Sequence, residues 1–338
     1  MAPIALLLLL LTSGLNARAQ LSEPEQLIEA GHWKRARELA EARLGQVPDD
    51  ALAHFLLSQI RYAFGDRTAP RSLAEQAVAL DSRVAKYHRQ LAEVLGVEAQ
   101  HAGPFQQLLI AHRFRKEIDR ALELDPRDIQ ALRDLIQFYL LAPGIAGGDL
   151  RKAEATAERI GQIDPAEGCL AKARIAAFQK RSAETEALLR QAAQAQPASY
   201  RALVELARFY LASDHADPAA AEAAARKALT LDPTRIEPYA ILAGLYADRA
   251  DWSALDAVLS EASRQNPDDL VPYCRAADHI LIHGRDAVRA ERYLRVYLSQ
   301  EPEGNEPSAA DAQRKLNSRD ARLNNRSLGG NGRAASAP

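Results

Sequence analysis

An all-α solenoid of about eight helical hairpins is the fold class that three observations predict. A short phrase closing on proline recurs at a near-constant interval, apolar residues hold one phase inside each interval, and small residues fall where paired helices would touch. The phrase is clearest as Leu124-Asp125-Pro126, Ile163-Asp164-Pro165 and Leu231-Asp232-Pro233. Weaker copies are Val47-Pro48, Leu80-Asp81-Ser82, Gln196-Pro197, Asn266-Pro267 and Glu301-Pro302. The last residues stand at 48, 82, 126, 165, 197, 233, 267 and 302, giving spacings of 34, 44, 39, 32, 36, 34 and 35. Self-similarity at such a period marks stacked units that bury their apolar faces only against neighbours.

Within each unit, the third residue after the closing phrase is counted as position 1. The stretch from Ile236 then places Tyr239, Leu242, Ala243 and Tyr246 at positions 4, 7, 8 and 11. Trp252, Leu255, Leu259 and Ala262 follow on a second helix. The stretch from Tyr200 gives Leu203, Leu206, Ala207 and Tyr210, and the one from Ile129 gives Leu132, Leu135, Ile136 and Tyr139. Apolar residues at i, i+3, i+4 and i+7 form one face of a helix. Ala207 and Ala243 at position 8, and second-helix sites such as Ala36, Ala153 and Ala290, are small and let paired helices approach closely. The closing proline cannot continue a helix and sets the turn between units. Repeat 1 keeps Gly31, Trp33, Ala36 and Ala40 behind a short first helix, and repeat 5, from Gly168, matches least well.

This helix–turn–helix unit, with its 34-residue period and closing proline, resembles the tetratricopeptide repeat (TPR) family over about residues 24–302. The resemblance implies a right-handed superhelix whose first helices line a concave groove, and a role in binding protein partners. Some exported bacterial TPR proteins of unassigned role carry a segment similar to 142–148, which adds no activity.

The expected organisation is a leader over 1–19, the solenoid over 20–302, a capping segment with a short helix over 303–323 and a disordered tail over 324–338. Ile4 to Leu11 form an apolar run of eight, and Ala17-Arg18-Ala19 reads as a cleavage site before Gln20. That is a signal-peptide layout, too short for a membrane span. It leads us to expect a periplasmic or secreted bacterial protein. Ser327 to Pro338 is rich in Gly, Asn, Ala and Ser, a composition that cannot build a core. The 338 residues are long enough for two domains or one extended array, and 47% apolar content can supply a folded interior. Lys and Arg number 43 against 45 Asp and Glu, a balance unlike that of a nucleic-acid binder.

No P-loop, H-E-x-x-H, G-x-S-x-G, C-x-x-C or G-x-G-x-x-G occurs, so no enzymatic activity and no cofactor are expected. Cys169 and Cys274 fall three repeats apart, too far for an internal disulfide, and are expected as free thiols. His88, His101 and His112 cluster in repeat 3, but without an i, i+4 pair they read as ordinary histidines, and no metal site is assigned.

The long repeats 3 and 4 place extra residues between their two helices, Gly96 to Pro104 and Ala142 to Gly148. Such loops stack along one edge of a solenoid and often bind. Pro143, Gly144, Gly147 and Gly148 are the candidate residues of that edge. The glycines could offer backbone N–H groups to an anion, or simply supply a turn at positive φ.

By the family resemblance, positions 2, 5 and 9 of each first helix point into the groove. In repeats 3 to 6 these are Lys86, Arg89 and Glu93; Gln130, Arg133 and Gln137; Cys169, Lys172 and Ala176; and Arg201, Val204 and Arg208. Six basic residues against one acidic would focus positive potential on a concave wall. The candidate partner-binding residues are Lys86, Arg89, Arg133, Gln137, Lys172, Arg201 and Arg208. The expected function is an exported scaffold that holds an acidic protein or peptide. The alternative is a small-molecule or metal-binding protein that uses the loops of repeats 3 and 4. The carboxylate clamp of some family members needs an asparagine, and none lies between Asn16 and Asn266.

Overall fold

In the computed structural model, residues 21–212 and 216–317 are described, and all regular structure there is helical. The expected leader, its cleavage site, the tail and residues 213–215 lie outside these residues. Eight antiparallel hairpins follow in order. They are α1 (Glu23–Ala30) with α2 (Trp33–Gln46), α3 (Ala51–Ala63) with α4 (Ala69–Leu80), α5 (Ala85–His101) with α6 (Pro104–Leu124), and α7 (Ile129–Leu141) with α8 (Leu150–Ile163). Then come α9 (Pro165–Phe178) with α10 (Ser182–Ala193), α11 (Tyr200–Leu211) with α12 (Pro218–Leu231), α13 (Glu237–Arg249) with α14 (Trp252–Gln265), and α15 (Val271–Ile282) with α16 (Ala287–Tyr297). A further helix, α17, covers 309–317, its start capped by the Ser308 hydroxyl, which accepts from Asp311 N–H. The core runs the length of the array as alternating rows of alanine and larger side chains, with Tyr239, Tyr297, Leu56, Ile60, Leu132 and Ile136 fully buried.

Local chemistry repeats with the hairpins. Asp50, Asp128, Asp164 and Asp251 each accept a backbone N–H at the start of a helix, satisfying donors that the first turn leaves free. Six residues after the closing residue, a side chain reaches back to its carbonyl: His54 to Pro48, His88 to Ser82 and Tyr239 to Pro233, each at 3.0 Å. This bond ties α3, α5 and α13 to the turns before them. A second device joins neighbouring hairpins. Arg115, Arg190 and Arg226 on second helices donate to the hydroxyls of Tyr139, Tyr210 and Tyr246 on the following first helices.

Three sequence expectations need correction. The extra residues of repeat 3 form almost no loop; they lengthen α5 and α6 to 17 and 21 residues, leaving Ala102 and Gly103 as the turn. Nothing from Val97 to His101 breaks a helix, and Pro104 sits in the first turn of α6, where a missing N–H costs nothing. Repeat 5 is out of register with its neighbours. Asp164 itself caps α9, so Pro165 opens the helix instead of preceding it by three residues. There, Gly168 lies against Gly161 of α8 so closely that a Cβ on it would meet the Gly161 Cα at 2.3 Å.

The third concerns the ends. The superhelix turns far enough for its last hairpin to rest edge-on against its first. Arg37 on α2 grips Glu301 bidentately at 2.9 and 2.6 Å, and Lys34 Nζ donates to the carbonyls of Asp268 and Glu301. Asn305 N–H donates to the Ala63 carbonyl at 2.9 Å. The segment after Pro302, expected only as a cap, is therefore also a closure.

Candidate binding groove

First helices lie side by side along the inner wall, and α7, α9 and α11 enclose a hollow of about 330 Å³. Arg133, Arg174, Arg201 and Arg208 line it together with Leu170 and Phe209. Three of these arginines are among the residues expected in the groove. Arg174 is not, and the register shift of repeat 5 explains why. With α9 starting at Pro165, its inward positions are Glu167, Leu170 and Arg174, the equivalents of Arg201, Val204 and Arg208 one repeat later. Lys172, assigned to the groove from sequence, instead points to α8, where its Nζ lies 2.8 Å from Glu158. Ala176 is buried in the core.

The wall is also less basic than expected. Arg133 and Arg201 both donate to Glu167 Oε2, at 3.1 and 2.7 Å. Arg89 meets Asp128 at 3.1 Å, Lys86 meets Glu25, and Arg208 meets Glu205 and Glu237. Asp128, Glu25, Glu167 and Glu237 sit at or near helix starts and Glu205 lies mid-way along α11; none of them is among the inward residues expected for repeats 3 to 6. Arg174 differs: its guanidinium donates to the Gln137 amide oxygen at 2.9 Å. Burial raises the pKa of Glu167 even with Arg133 opposing, so its carboxylate is a strained partner for two guanidiniums.

A second cavity of about 520 Å³ lies between the long α5–α6 hairpin and the turn after α7. Phe114, Phe138, Leu108 and Pro143 form its apolar side, and Gln100, Gln130, Glu93 and Asp134 its polar side. Asp134 is pushed up to about 7, first by burial and then by the charge of Glu93; burial likewise raises Glu93. Ile145 on its lining is 86% exposed, and Phe105 and Leu109 on α6 are 88% and 74% exposed. That is much apolar surface left to water.

The candidate edge residues of repeat 4 form a tight turn. Gly144–Ala146 make one turn of 3-10 helix, and Gly147 follows at φ +104°. A Cβ on Gly148 would strike the Ala142 carbonyl oxygen at 1.8 Å. The N–H groups of Ala146, Gly147, Gly148 and Asp149 donate to Pro143, Gly144, Pro143 and Tyr139 carbonyls. They are spent inside the turn, so no cradle faces an anion.

The repeat 3 histidines do not converge on an ion. His88 is buried, with Nδ1 2.6 Å from Glu117 and Nε2 3.0 Å from the Ser82 carbonyl. Two acceptors require two donors, and the Glu117 hydrogen bond raises the His88 pKa accordingly. His112 is exposed. Cys169 is partly exposed, Cys274 is buried, and both are free thiols.

Solved structures carry the same arrangement of hairpins. The structure of yeast Tom70 aligns over 90% of this chain and 66% of its own, with 14% identity and a TM-score of 0.58. The fold is that of a TPR solenoid. A thermophilic TPR protein from Thermus thermophilus, TTC0263, aligns over 56% of this chain and 96% of its own at 20% identity, with a TM-score of 0.48. No family model matches the sequence, and no curated protein matches it. This TPR solenoid has, among its described residues, no helix long and apolar enough to cross a membrane.

Proposed function

We propose that this TPR solenoid is a non-catalytic scaffold that binds an extended, acidic segment of a protein partner along repeats 3 to 6. The observation that carries this reading is the meeting of Arg133, Arg174, Arg201 and Arg208, from three successive first helices, at one hollow. A partner carboxylate would take over guanidinium donors from Glu167, whose buried position disfavours its own charge. Bidentate guanidinium–carboxylate pairing then fixes the segment's register. The exposed Phe105, Leu109 and Ile145 give a protein, rather than a lone small ligand, additional surface to cover. In keeping with its leader-like first residues, we place the protein in the periplasm or outside the cell after cleavage near Ala19.

The test pairs Arg174→Glu with Arg201→Glu and follows cross-linking to partners in the native compartment. Reversal of both charges should abolish capture, whereas Lys116→Glu on the exposed side of α6 should leave it intact. Equal capture by all three proteins would refute the groove.

The 520 Å³ cavity favours a second reading, a small-molecule site between repeats 3 and 4. Its polar groups are carboxyls and amides, so it suits a neutral or cationic amphiphile and not the anion considered from sequence. Such a ligand would raise the melting temperature, and deleting 143–148 would remove the rise.

A further inference from the structure

Where the last hairpin meets the first, three metal-ligating side chains come together from separate segments. His32 caps α2, Asp268 lies in the turn between α14 and α15, and Glu303 follows α16. One donor atom from each lies within 4.8 Å of the other two. Donors around a tetrahedral zinc stand about 3.3–3.5 Å apart, which small side-chain rotations here would reach.

Two of the donors lack the partners that buried polar atoms normally have. The Glu303 side chain is only 1% exposed. Its Oε2 accepts the Lys34 backbone N–H at 2.8 Å, while Oε1 is buried without a hydrogen bond. His32 Nδ1 is likewise buried and unbonded. Two unbonded buried atoms, one on His32 and one on Glu303, beside the Asp268 carboxylate are the arrangement a cation would complete.

We propose that His32, Asp268 and Glu303 bind one zinc ion that clasps the first repeat to the last. One imidazole nitrogen with two carboxylate oxygens suits zinc, with water in the fourth position. Magnesium and calcium prefer all-oxygen shells. The two carboxylates balance the ion's charge. Arg35 now pairs with Asp268, and Lys34 Nζ lies 3.8 Å from Glu303 Oε1. Arg35 is half exposed and would yield to the ion by turning into water. Lys34 keeps its two carbonyl acceptors.

The experiment uses the full chain without a histidine tag, stripped with a chelator and titrated with zinc chloride by calorimetry and thermal melting. One zinc per chain should bind with a Kd below about 1 µM, and the melting temperature should rise and fall back when chelator is restored. His32→Ala and Glu303→Gln should each weaken binding by about 100-fold. Arg35→Ala should tighten it, because a competing cation is gone. That variant separates the clasp from a purely ion-paired closure, in which losing Arg35 lowers the melting temperature and zinc does nothing. The absence of saturable binding at about 10 µM zinc, an undiminished affinity in His32→Ala, or an equal shift with magnesium would overturn the proposal.

Discussion

Two buried groups near the groove give the stability of this protein a defined pH dependence. Asp134 titrates at about 7 in the folded chain against an ordinary value of 3.8. Between those values the native state holds a proton that the unfolded chain has released, so stability falls as pH rises through the window. His88, with its pKa raised by Glu117, adds stability that is complete below the ordinary histidine value and is lost above the raised one. Both effects share a sign. Thermal melts should show the midpoint falling from pH 5 to pH 9. Asp134→Asn should flatten the lower part of that slope and His88→Gln the upper part; an unchanged slope in both variants would contradict the assignment. At the same scale, Gly168→Ala drives a methyl into the Gly161 backbone, and denaturant unfolding should register a loss of about 1–3 kcal/mol. Individual core residues were readable in the sequence because their phase follows the helix period. The sequence did not reveal which charges oppose Arg133 or Arg89. Glu167 and Asp128 act from helix starts, and their reach depends on a neighbouring hairpin.

Among the elements, a second-helix arginine that clasps the next first-helix tyrosine couples hairpins 3, 5 and 6 to their successors. In two of these joints a carboxylate completes the contact: Glu186 accepts from Tyr210 at 2.9 Å and Glu222 from Tyr246 at 2.7 Å. Tyr210→Phe and Tyr246→Phe should each cost about 1 kcal/mol in denaturant unfolding. The two losses should add, since the joints share no partner. Helix existence was legible throughout the array, but helix limits failed where the proline changed its role. In repeat 4 a second aspartate, Asp128, caps α7 after Pro126, whereas after Asp164 no such residue precedes the apolar face. Asp164 must then cap α9 itself, and the 32-residue spacing of that repeat records the missing turn. This signal would have exchanged Lys172 for Arg174 in the groove. In the α5–α6 hairpin, extra length by itself does not mark a loop, because no residue from Val97 to His101 stops a helix.

Across the whole molecule, contacts between repeats 1 and 8 depart from the nearest-neighbour behaviour of open repeat arrays. An open array frays from its termini. Here α2 is held by Arg37 on Glu301 and by Lys34 on two carbonyls from residues more than 230 positions away. Arg37→Glu should therefore speed amide exchange throughout α1 and α2, while the free energy of global unfolding falls by no more than about 1 kcal/mol, since the pair is partly exposed. Exchange confined to the immediate site of substitution would argue that the ends move independently. The closure left no trace in the repeat pattern. A period reports how each hairpin meets the next, not the pitch that brings the eighth back to the first.

That meeting also bears on how the chain can change over generations. Solenoids commonly grow or shrink by copying or losing a whole unit, and an open one tolerates the edit because only the new seam must fit. Adding one hairpin here would carry Glu301 and Glu303 past Lys34 and Arg37 by the breadth of a helix pair, roughly 10 Å or more, and removing one would leave a gap of similar size. The number eight is in this sense part of the architecture, as the number of staves is in a barrel.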